Sequence, residues 1–301
     1  MHARIHVLFL FVLLCSAGVG LGDTSPSLIL DDGNASVRFD PSQEAAAKEV
    51  LRLYPTVRSD LERLIAWPIE FNPTFVLLKE GQLEKMAGTD LVAALAVPER
   101  NLVLFDLSKM ARHAFVLEAT MKHEICHLLL HYYIRENKLP KWLDEGICQW
   151  VSDGVAEIIM DRKGSFFGEA VLAEKIMPFQ QLNEHFPGED RSLILAYEQS
   201  KSIVTYLSQK YGTDKLLSIL NRLHDGTSLQ DAVKQSLGIT VSELEHNWRG
   251  SIKKGHTWLV YISIHLYEIL FFAAALLTLG GFVRLMRRRK KLGEEEADDE
   301  S

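Results

Sequence analysis

The spacing of apolar residues changes twice along the middle of the chain, and each change marks a different kind of expected element. Between Ser42 and Ile65 the apolar positions Val50, Leu51, Leu53, Val57, Leu61 and Leu64 recur at three- and four-residue intervals. That period predicts an amphipathic helix, with Pro55 as a break. Thr74 to Leu78, Leu91 to Val97 and Asn101 to Phe105 are short apolar runs, the last two separated by Pro98-Glu99-Arg100. They predict a small, mainly antiparallel sheet with a hairpin. After Ser108 the helical period returns. Ser228 with Asp231 and Ser242 with Glu245 resemble N-terminal capping boxes, and Gly212 and Gly238 stand where helices should stop. The expected fold class is therefore α+β, a sheet-containing first half followed by a helical second half, with no internal repeat.

Two further apolar runs lie outside this pattern. Met1 to Gly22 couples Arg4 to the run Ile5–Leu14 and then to the small residues Ala17, Gly18, Gly20 and Gly22, the layout of a cleaved secretory signal peptide. Near the other end, Trp258 to Val283 is long enough to cross a hydrocarbon core of about 30 Å as one transmembrane helix. The block Arg284, Arg287, Arg288, Arg289, Lys290 and Lys291 follows it and, by the positive-inside rule, stays in the cytoplasm. Glu268 then falls near the outer boundary, where it can reach water. The expected organisation is a signal peptide at 1–22, an extracytoplasmic domain at 23–255, a membrane helix at 256–285 and a basic then acidic cytoplasmic tail at 286–301. Such a chain is a single-pass protein of the cell membrane with its main domain periplasmic or extracellular.

Composition narrows the function classes. Of 301 residues, 47% are hydrophobic and 24% charged, with a formal net charge of −7. The dense basic block lies at the C-terminus and no basic stripe runs through the domain, which argues against a general nucleic-acid binder.

The chemistry lies in His123-Glu124-Ile125-Cys126-His127, an HExxH motif within the apolar stretch Ala119 to Tyr133. At about 100° per residue the two imidazoles stand about 40° apart and one turn along the helix, so both point at one spot. Glu124 borders that spot and can hold a water there without binding the metal. The flanking Phe115, Val116, Leu117 and Leu128, Leu129, Leu130 indicate a buried helix, and buried His and Glu side chains need partners. A metal ion satisfies all three.

A hydrolytic zinc site uses three protein ligands and keeps the fourth position for water. His131 extends the row of histidines but lies about 12 Å along the axis from His123, too far for both to reach one ion. Glu145 is the better third ligand. The 17 residues from Leu128 to Asp144 allow the first helix to finish near Glu136 or Asn137, a turn at Lys138 to Pro140, and a second helix begun by Pro140 that returns Glu145 to the histidines.

HEICH followed by Pro140-Lys141-Trp142-Leu143-Asp144-Glu145-Gly146 resembles the gluzincin metallopeptidases, in particular the peptidase MA-like domains with a later P-x-W-x-x-E-G helix. Ala196 to Ser200, Tyr206-Leu207, Lys210 to Gly212, Leu237-Gly238, Leu244-Glu245 and Trp248 extend the resemblance over roughly Phe71 to Ile252. It implies a zincin-like fold, one Zn2+ held by His123, His127 and Glu145, Glu124 as general base, and a peptide or protein as substrate. It also implies a phenol or imidazole opposite the metal; Tyr197 is the candidate, with Tyr132, Tyr133, His185 and Tyr206 as alternatives. An extended substrate would lie along the sheet edge near Ala94 to Val97 or Asn101 to Phe105. No GxMxN-like exopeptidase signature is visible, so the default is an endopeptidase.

Gln149, one turn after Glu145, could orient a ligating histidine. Cys126 and Cys148 fall one on each helix of the proposed hairpin, open to a disulfide, to two small core residues or to a thiolate ligand. The rival function is a catalytically silent zincin fold that binds protein or metal, and the intact Glu124 weighs against it.

Overall fold

The computed structural model describes residues 28–87, 92–110, 116–134, 138–153, 166–184 and 186–299. The expected signal peptide lies outside the described residues, as do Leu91, Phe115, Glu136, Asn137 and His185. The chain divides into two compact units, Met1–Arg249 and Gly250–Ser301.

The first unit is built on one five-stranded sheet. Its strands are β1 (Leu28–Asp31), β2 (Ser36–Phe39), β3 (Thr74–Leu78), β4 (Ala94–Val97) and β5 (Leu102–Asp106), in the order β1-β2-β3-β5-β4. The sheet is mixed, which corrects the expectation of a mainly antiparallel one. Strands β1–β2 and β4–β5 are hairpin pairs, but β2–β3 and β3–β5 are parallel. The parallel pairs follow from connectivity. Helix α1 (Glu44–Ile65) carries the chain from β2 back to the start of β3, and an intervening excursion sends it past β5 to β4 before the hairpin returns. That hairpin is the expected one: Pro98–Arg100 forms a 3-10 turn closed by Asn101 at φ 47°.

The 3-10 turn Pro41–Gln43 that leads into α1 begins at a capping box, in which Asp40 accepts from the Ser42 amide and Gln43 accepts from the Asp40 amide. Pro55 does not break it. The proline is exposed, so the carbonyl that loses its partner can face water, while Leu53, Tyr54, Val57 and Leu61 are buried and hold the helix to the sheet. Along the sheet, Phe75 and Leu77 of β3 register with Val103 and Phe105 of β5, and the Phe75 and Phe105 rings stack at 5.8 Å. On the alternate positions, Leu78 and Leu104 pack with Leu83 of α2 (Gln82–Ala87).

After the short helix α3 (Leu107–Met110), the remainder of the unit is helical, as expected. Helices α4 (Val116–Tyr133) and α5 (Lys141–Val151) form the hairpin, followed by α6 (Phe166–Leu172), α7 (Phe179–Glu184), α8 (Asp190–Tyr211), α9 (Thr213–His224) and α10 (Leu229–Leu237). The last helix is α11 (Val241–Asp299). Gly238 closes α10 at φ 75°, and Ser228 caps its start. The other capping box stands two residues earlier than expected: Thr240 and Glu243, rather than Ser242 and Glu245, exchange side-chain and backbone bonds ahead of α11.

In the second unit, Leu266–Met286 is a helix long and apolar enough to cross a membrane, with Tyr267, Phe271, Phe272, Leu276 and Leu277 all exposed.

Candidate active site

The HExxH helix is a core helix. Met121, Ile125, Leu128, Leu129 and Leu130 surround the motif, and His123 and Glu124 are fully buried beside them. Lys122, the residue before the motif, ties α4 to α1 through a 3.1 Å ion pair with Asp60. Helix α5 starts at Pro140, whose extended backbone sets the turn, and buries Trp142, Leu143, Ile147, Cys148 and Val151. The Trp142 indole donates to Asn183 of α7 at 3.0 Å. Gly146 allows α5 to lie directly on α8: a Cβ there would stand 2.5 Å from both the Ser200 carbonyl oxygen and Val204 Cγ2. The Glu-Gly pair of the motif thus has two physical reasons, a carboxylate on one face and a backbone contact on the other.

This packing returns Glu145 to the histidines as the spacing predicted. The His123 and His127 Nε2 atoms are 3.1 Å apart, and Glu145 Oε2 lies 3.6 Å from the first and 3.5 Å from the second. Donor atoms placed around a tetrahedral zinc at its usual bond lengths stand roughly 3.3–3.4 Å from one another. The observed triangle matches that size, and Glu145 Oε2 is buried with no hydrogen-bond partner among the described residues. These three residues can form a metal site.

Two residues that sequence reasoning passed over complete the cluster. Asp144 accepts from His127 Nδ1 at 2.7 Å and pairs with His131 Nε2 at 3.2 Å, so one buried carboxylate holds two histidines of α4. Lys141 places Nζ 2.6 Å from Glu145 Oε1. Both were legible in principle, because Asp144 adjoins Glu145 and Lys141 sits one helical turn before it. His131, excluded as a ligand by distance, is an anchor for Asp144.

Electrostatics follow from burial and neighbours. Burial works against a proton on His127, but the Asp144 and Glu145 carboxylates outweigh it and hold its pKa well above the ordinary imidazole value. Burial also opposes ionisation of the two carboxyls. His127 overcomes this at Asp144, and Lys141 followed by His127 does so at Glu145, so both stay ionised well below the usual carboxylate range.

Other expectations change. Gln149 does not orient a histidine; its amide donates to the Tyr197 carbonyl at 3.1 Å and ties α5 to α8. Cys126 and Cys148 are unbridged buried thiols. Burial, then the neighbouring Cys126 thiol, push Cys148 well above the ordinary cysteine range, so its thiol is neutral while no metal is bound, although its sulfur stands close enough to His127 and Asp144 to share an ion with them. Tyr197 is half-buried within α8, with its ring edge-on to Phe186 at 5.2 Å. Among the alternatives, the Tyr133 hydroxyl donates to the Pro68 carbonyl, and Tyr206 packs on Tyr211. Of the two expected substrate edges, β5 is ruled out because it is paired on both sides; β4 is the terminal strand.

An HExxH helix and a following helix carrying a glutamate bring three side chains that could hold a metal ion to one buried point. The model of the Peptidase MA superfamily matches residues 90–254, and the chain belongs to that family. No curated protein sequence matches it. Among solved structures it is similar to aminopeptidase A of Legionella pneumophila in complex with aspartic acid, at 14% identity and a TM-score of 0.44, over 71% of this chain and 26% of that one. It is also similar to an M1 zinc metallopeptidase from Deinococcus radiodurans bound to a Tyr-Ser-Ala substrate, at 16% identity and a TM-score of 0.38, over 74% of this chain and 50% of that one. The chain thus spans half or less of the length of either structure.

Proposed function

We propose that the protein is a membrane-anchored zinc metallopeptidase whose domain at 23–255 lies outside the cytoplasm. The observation that carries the reading is the triangle of His123 Nε2, His127 Nε2 and Glu145 Oε2, buried and sized for a tetrahedral ion. Zinc, when bound there, would supply a Lewis acid and lower the pKa of water towards about 7.

The chain's own residues do the rest. Asp144 keeps His127 Nδ1 protonated, which leaves Nε2 as the donor facing the metal. Glu124, adjacent to His123 and buried, takes the proton of the attacking water and returns it to the leaving amine. Tyr197 is the proposed donor to the developing oxyanion, and the edge of β4 is where an extended peptide would pair. Pairing along a strand suits an internal segment of a polypeptide, which favours endopeptidase action. The membrane reading is supported by Leu266–Met286 together with the basic block from Arg287 to Lys291.

The test is peptide hydrolysis by the full chain. Glu124→Gln should lower kcat by about 10²- to 10⁴-fold while leaving zinc bound. Unchanged turnover in that variant would sink the mechanism.

A further inference from the structure

Lys141 is not part of the mechanism above, yet its ammonium lies in the middle of the site's charge. Nζ is 2.6 Å from Glu145 Oε1 and 3.8 Å from Asp144 Oδ2. The two carboxylate side chains are only 2% and 5% exposed, whereas the lysine is 33% exposed and reaches them from the first turn of the same helix. The glutamate's two oxygens are therefore divided: Oε1 is taken by the ammonium, and Oε2 is turned to the histidines.

Two buried carboxylates on adjacent residues repel each other and pay for lost hydration unless a cation compensates them. When a metal is bound, the metal compensates. When it is not, the compensation has to come from the chain. We propose that Lys141 is the resident counter-ion of the metal site: its ammonium compensates Glu145 and Asp144 while no metal is bound and opposes the metal once it is there. This rests on the zinc reading of the site.

The two effects have opposite signs in the two states. Removing the ammonium takes an attraction from the metal-free protein and a repulsion from the zinc-loaded one. By linkage, the metal-free form must lose more stability than the loaded form, and zinc must bind more tightly. A lysine that merely packed would lower both forms alike and leave zinc affinity unmoved.

The experiment uses the full chain in detergent, with zinc affinity measured by chelator competition and unfolding followed in both metal states. Lys141→Met and Lys141→Gln should each bind zinc about tenfold more tightly, less whatever solvent screening of the part-exposed ammonium removes. In both variants Tm should fall further in the metal-free form than in the loaded form. Lys141→Arg, which restores the cation, should return both quantities to the wild-type values. Unchanged or weakened zinc binding in the two neutral variants, with equal losses of Tm in both states, overturns the proposal. A neutral variant unfolded without metal and folded by zinc supports it; if neither folds with zinc, Lys141 is a structural residue and the proposal falls. A wild-type chain that binds no zinc instead overturns the metal reading on which it rests.

Discussion

Asp144 decides how His127 meets a metal, because a 2.7 Å bond to Nδ1 fixes both the tautomer and the ring plane. The same carboxylate reaches His131, so its position is set from two points on α4. Asp144→Asn keeps the shape and loses the charge. It should weaken zinc binding by about 10- to 100-fold, read by chelator competition, with the fold intact by circular dichroism. Undiminished affinity would mean that the bond is incidental. The three residues of the triangle were readable from spacing because helical geometry alone brings i and i+4 together and a hairpin returns Glu145. The roles of Lys141 and Asp144 were not read, since a charged residue at the start of a helix more often faces solvent. Gln149 was misassigned for a related reason: one turn from Glu145, it points to α8 instead of the histidines, and a sequence does not disclose which neighbouring helix covers which face.

At the level of elements, the hairpin α4–α5 is held in place by its outer contacts as much as by its own packing. Gly146 shows how close the approach is. In a helix, alanine is better than glycine by about 1 kcal/mol, but a Cβ here meets a backbone oxygen, which cannot rotate away, and a valine methyl, both at 2.5 Å. Overpacking of this kind costs about 1–3 kcal/mol, so Gly146→Ala should be net destabilising in a denaturant titration and should loosen zinc by shifting α5. A stabilised variant would contradict the contact. The sheet shows what patterning cannot settle. Strand positions and the β4–β5 hairpin followed from apolar runs and Pro98, but the parallel pairing of β3 with β2 and β5 depends on where α1 and α2 carry the chain. Nor was the β1–β2 hairpin read from the sequence, because its strands are only four residues each. Pro55 was read as a break on local sterics alone, which buried neighbours overrule.

For the molecule as a whole, the buried candidate metal site belongs to one unit and the candidate membrane helix to the other. Leu266–Met286 is long and apolar enough to cross a membrane and carries many exposed apolar side chains, and full-length protein should remain in the membrane pellet after an alkaline carbonate wash. A chain ending at residue 255 should be released. Recovery of the full-length protein in the soluble fraction would remove the anchor from the account. The deciding measurement is the metal content of the purified full chain. The wild-type chain should carry about one zinc, retained in Glu124→Gln and lost or much reduced in His123→Ala and Glu145→Ala. A wild-type chain without bound zinc, or a Glu145→Ala chain that keeps it undiminished, would contradict the site.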